Sequence, residues 1–89
     1  MRYPCPCCGY LTFDEKPPGT YEICPVCGWE DDEAQYSDPT YEGGANSVRL
    51  ETARRNFLSI GAIDKKAFGF VRQPLPEEIP VNNLTGLDR

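Results

Sequence analysis

The chain has 89 residues, 39% of them hydrophobic, and carries a formal net charge of −5 with no histidine. That length holds one small domain at most, whose apolar core alone gives thin stability, so a cross-link by metal or disulfide is expected. The charge argues against general nucleic-acid binding, which neutralises phosphates with Lys and Arg. The missing histidine excludes mixed cysteine–histidine zinc fingers, imidazole acid–base chemistry and every Cys/His nucleophile pair.

In chain order, Tyr3-Pro4 leads in as an extended segment, because a residue before proline is pushed from the helical region. Cys5-Pro6-Cys7-Cys8-Gly9 follows, and Cys24-Pro25-Val26-Cys27-Gly28 repeats it at an offset of 19 residues. Each copy is followed by an aromatic, Tyr10 or Trp29. Between the copies, Tyr10-Leu11-Thr12-Phe13 is rich in strand formers, Asp14-Glu15-Lys16-Pro17-Pro18-Gly19 is a turn, and Thr20-Tyr21-Glu22-Ile23 alternates as a half-buried strand does. The two strands are expected to pair as a hairpin whose ends carry the cysteine knuckles.

Residues 29–46 form a long connection with an acidic block, Glu30-Asp31-Asp32-Glu33. Packing of Trp29, Tyr36 and Tyr41 on the hairpin is expected to pin it. A helix is predicted over about 48–60, with Asn46 or Ser47 as cap and Gly61 as its left-handed end. Its stripe Leu50, Ala53, Phe57 and Ile60 should face the hairpin. Glu51 and Arg55 should pair across one turn, with Arg54 and Arg55 on a solvated face. Phe68, Phe70 and Val71 suggest a short helical turn or strand closing a domain of residues 1–72. Residues 73–89, broken by Pro74, Pro76 and Pro80, read as a mobile tail. Seven acids and no base lie between Lys16 and Arg49, while six bases face Glu51 and Asp64 from Arg49 to Arg72. Solvated faces, docking of the two halves, or partners of opposite sign would each account for this.

Five cysteines, an odd number, at ligand-like spacing favour thiolates on a metal in a reducing cytoplasm over a disulfide framework. The N-terminus runs straight into the first knuckle, so no export segment is expected, and no stretch has the roughly 20 apolar residues of a membrane helix. Cys5, Cys8, Cys24 and Cys27 are the predicted ligands of one Zn²⁺. Two residues between cysteines let one tight turn place both sulfurs on an ion, and the following glycine permits the backbone that closes it. Rubredoxin knuckles, which hold iron for electron transfer, are similar, but their longer insertion makes zinc the better fit. Cys7 is left over, either a reactive, redox-sensitive thiol or a small apolar filler.

Tyr3 to Tyr10, Pro18 to Asp32, and Gly43-Gly44-Ala45-Asn46 leading into Ala53 to Phe57 together resemble the cysteine-rich CPCC family of small bacterial proteins over roughly residues 3–60. The resemblance implies a zinc-ribbon-like fold. The family typically places Ser, as a helix cap, where this chain has Arg49. The fold expected is a small α+β metal-bound domain, a zinc-ribbon or rubredoxin-like knuckle hairpin packed against one α-helix. Its expected role is a non-enzymatic module binding a protein partner. The alternatives are a rubredoxin-like iron or Cys7-based redox protein and, third, a nucleic-acid-binding ribbon.

Overall fold

In the computed structural model, which describes residues 2–80, the repeated knuckles become two similar turns lying face to face. In the first, the Cys5 amide donates to the Tyr10 carbonyl and the Gly9 amide to the Cys5 carbonyl; in the second, Cys24 bonds Trp29 and Gly28 bonds Cys24, all at 2.9 Å. The repeat offset therefore carries a backbone geometry as well as residue types. Gly9 (φ +83°) and Gly28 (φ +93°) occupy the left-handed region that closes each turn, where a side chain would be strained.

Each knuckle reverses the chain, so the segments on its two sides pair with each other. Strand β1, Tyr3–Pro4, pairs antiparallel with β2, Leu11–Phe13, across the first. Ile23 bridges Glu30 across the second, extended by Tyr21 N to Asp31 O and Asp31 N to Glu22 O. The expected pairing of Tyr10–Phe13 with Thr20–Ile23 gives way to this arrangement. Both pairs close loops that the knuckles' own hydrogen bonds already bend back on themselves.

The connection 29–46 is held differently from the expectation as well. Trp29 is fully buried, but Tyr36 and Tyr41 are exposed and do not pin it. A short helix, α1 (Glu33–Ser37), starts at Asp32, whose carboxylate accepts the Gln35 amide at 3.0 Å and the Ala45 amide at 2.9 Å. Those bonds hold its acidity stronger than usual, the Gln35 amide contributing most. Gln35, wholly buried, accepts from the Asn46 side chain at 2.9 Å and donates to the carbonyls of Tyr41 and Val48. Asn46 in turn bonds both the amide and the carbonyl of Glu30 at 2.8 Å, acting as one rung of a strand. The loop is thus a hydrogen-bonded plug with every buried amide of Gln35 and Asn46 engaged.

The main helix, α2, spans Leu50–Ile60. Neither Asn46 nor Ser47 caps it: Asn46 is committed to Glu30, and the Ser47 hydroxyl bonds Asp64. Arg49 occupies the cap position with no side-chain cap bond, whereas Gly61 ends the helix at φ +81° as predicted. Leu50 and Ala53 are buried and Phe57 half-buried, its ring 6.2 Å from Tyr10 in an edge contact. Ile60, by contrast, is exposed and does not extend the buried stripe. Glu51 pairs with Arg49 at 3.5 Å rather than with Arg55.

After α2 the chain returns to the second knuckle, where Ile63 N reaches Cys27 O and Arg72 N reaches Pro25 O, both at 2.9 Å. Between them lies a 3₁₀ turn, Lys65–Gly69. Ala62 and Ile63 close the core here, while Phe68 and Phe70 remain half-exposed. Residues 73–80 contain a second 3₁₀ turn, Pro76–Glu78, whose Glu78 is buried against Arg72. The rest of the expected tail, 81–89, lies outside the described residues. Among those described, no helix is long and apolar enough to cross a membrane.

Candidate metal centre

The two knuckles bring Cys5, Cys8, Cys24 and Cys27 together, their sulfurs all within 4.8 Å of one another. The first cysteine of one knuckle faces the second of the other: Cys5 Sγ lies 3.6 Å from Cys27 Sγ, and Cys8 Sγ 3.7 Å from Cys24 Sγ. A tetrahedral ion with Zn–S bonds of about 2.3 Å requires sulfur–sulfur edges of about 3.8 Å. The observed pairs match that edge. Four thiols at this spacing could hold one metal ion.

The surroundings suit thiolates. Backbone amides of Cys7, Val26 and Trp29 donate to Cys5, Cys24 and Cys27 at 3.3–3.4 Å. The Thr12 hydroxyl donates to Cys24 Sγ at 3.2 Å. Cys5, Cys24 and Cys27 are buried in the same cluster as Phe13, Val26, Trp29 and Leu50, so the centre forms part of the core. Crowding splits the thiols' acidity. Cys24 becomes far more acidic than a free thiol, chiefly through the neighbouring Cys27 thiol, with Cys5, Cys8 and Thr12 adding. Cys27 and Cys8 are pushed the other way, chiefly by their hydrogen bonds to Cys24. A divalent cation bound here would displace the thiol protons.

Cys7 stands apart from this set. Its amide serves Cys5, while its half-buried side chain packs on the core. Thr12 is the residue that sequence reasoning placed only in a strand. A clue was available: the repeat offset of 19 sets Thr12 opposite Asp31, and both are buried polar residues. Asp31 accepts the Thr20 amide at 2.9 Å. The two knuckles thus each carry a buried polar group three residues after their glycine, used for sulfur in one copy and for backbone in the other.

Fold and site together define a small cysteine-knuckle protein with a buried four-sulfur centre between two pseudo-equivalent turns. The chain belongs to the cysteine-rich CPCC family, whose model matches residues 3–78. The match reaches past the residues that carried the sequence resemblance and takes in the buried Glu78. A comparison with curated proteins finds no match.

Proposed function

We propose that the chain is a zinc-binding protein in which Cys5, Cys8, Cys24 and Cys27 hold one structural Zn²⁺, and that its role is non-enzymatic protein interaction in the cytoplasm. The convergence of four cysteine sulfurs within 4.8 Å, two pairs of them at tetrahedral edge length, carries the metal reading. In a zinc-ribbon-like fold of this kind, a closed four-cysteine site leaves the ion no open position for substrate. The interaction reading is supported by the lack of any histidine and by the exposed apolar side chains, Leu58 at 86% among them.

The second reading is iron. Amides aimed at the sulfurs stabilise thiolates on either metal and tune an iron centre's potential. Elemental analysis and the visible spectrum of the purified protein separate the two. One zinc per chain and a colourless solution are expected; a red protein that bleaches on reduction overturns the zinc assignment. Removing the ion should unfold the chain, because structural zinc supplies about 10–16 kcal/mol of apparent folding free energy. Circular dichroism after chelation reads this directly, and an unchanged spectrum in verified metal-free protein would sink the structural role.

A further inference from the structure

The sequence placed Arg54 and Arg55 on a solvated face, and both are exposed, but Arg54 is also tied to the first knuckle. Arg54 Nε donates to the Pro6 carbonyl of the first knuckle at 3.0 Å. One of its five donors is thereby used to fix the guanidinium plane, and the others remain for a ligand. The fixed group lines a recess of about 270 Å³ together with Lys16, Tyr3, Tyr36, Pro4 and Pro6. Among the described residues, no carboxylate lies within ion-pair distance of Arg54 or Lys16, nor of Arg55, Lys65 or Lys66, whereas Arg2 and Arg49 each have two and Arg72 has one. What sets Arg54 and Lys16 apart from those other unpaired cations is that they share one recess.

We propose that this recess docks an acidic, proline-bearing segment of a partner protein. The proposal rests on the interaction reading above and names where and by what chemistry it operates. A carboxylate suits a pre-oriented guanidinium, which can meet it with two parallel hydrogen bonds. Tyrosine and proline walls suit the rings of an extended prolyl peptide, as aromatic grooves do elsewhere. A bare anion would leave those walls unused. The volume lies just under the roughly 300–1,000 Å³ of drug-sized ligand pockets, so a short stretch of chain enters and a folded surface does not. Because Cys5 also lines the recess and Pro6 supplies the anchoring carbonyl, the site exists only while the first knuckle is held.

The test uses the full metal-loaded chain and a fluorescein-labelled octapeptide of alternating proline and glutamate, with proline–glutamine and proline–lysine peptides as controls. Fluorescence polarisation should show binding of the glutamate peptide alone. Arg54→Ala and Lys16→Ala should each weaken it about tenfold or more, the loss typical of a central charged contact. Arg54→Lys should recover part of the loss, and Arg55→Ala should leave binding unchanged. Metal content and circular dichroism of each variant exclude loss of fold as the cause. Equal binding of the glutamine peptide, or equal losses for Arg54→Ala and Arg55→Ala, would overturn the proposal. So would full displacement of the peptide by inorganic phosphate, which would make the recess an anion site. Absence of peptide binding by the loaded protein overturns this inference and leaves the interaction reading standing. That reading falls separately, to a redox-active iron centre.

Discussion

Thr12 shows how much of the centre depends on a single side chain outside the four cysteines. Its hydroxyl donates to the one sulfur that crowding makes most acidic, Cys24. Valine has the same shape and strand preference but no donor, so Thr12→Val should fold and lose only that bond. Replacing groups that orient metal ligands typically lowers affinity 10- to 100-fold, and about tenfold is expected here. Competition against a chromophoric chelator measures it, and an unchanged zinc affinity would show that the hydroxyl contributes nothing. Cys7 makes the contrasting point. Its amide reaches Cys5 whatever its side chain is, so the extra thiol is not needed for that bond.

At the level of elements, the two knuckles have the same backbone but different surroundings. A Cβ on Gly9 would meet nothing within 4 Å, while one on Gly28 would lie 3.1 Å from Ala67 Cβ. Gly9→Ala therefore carries only left-handed strain, about 1–2 kcal/mol. Gly28→Ala adds overpacking against the 3₁₀ turn Lys65–Gly69, about 1–3 kcal/mol more. Thermal melts of the metal-loaded variants should show a clearly larger fall for Gly28→Ala; equal falls would mean that the contact relaxes freely. The contact also explains why the second knuckle is the better covered one. Residues 62–72 lie over it through Ile63 N to Cys27 O and Arg72 N to Pro25 O, whereas α2 reaches the first knuckle mainly by side chains.

Across the whole molecule, the segment after the second knuckle is tied back to the N-terminus. Glu78, 1% exposed, accepts two bonds from Arg72 at 2.9 and 2.8 Å, the Leu75 amide at 2.8 Å and Arg2 at 3.4 Å. Arg72 above all holds its carboxyl down, from a usual 4.5 to about 2. Since the folded value is the lower one, the clasp stabilises fully above about pH 4.5 and its contribution is lost as pH falls through about 2. A metal held by the four cysteines would also be released in acid as its thiolates take up protons, so global unfolding would mix the two effects. The Glu78 side-chain carboxyl carbon, followed by NMR, reports the clasp alone. Its midpoint should lie well below that of an ordinary glutamate, and a midpoint near 4.5 would show that the clasp does not hold in solution.

The four-cysteine cluster and the main helix were legible from local residues alone. Cys5, Cys8, Cys24 and Cys27 were legible because ligand spacing and a glycine after each second cysteine are local demands, satisfied within five residues. The α2 stripe through Leu50, Ala53 and Phe57, and its Gly61 end, were legible for the same reason. Tertiary structure decided what crosses the chain. Asn46 could cap a helix or bridge a strand with equal local plausibility, and the buried Gln35 settled it. Thr20–Ile23 could pair backward or forward, and the bend already built into the second knuckle favoured forward. That the exposed Arg54 also lines a recess depends on Pro6, 48 residues away. Those choices turn on partners that lie elsewhere in the chain, outside the local window of residues around each position.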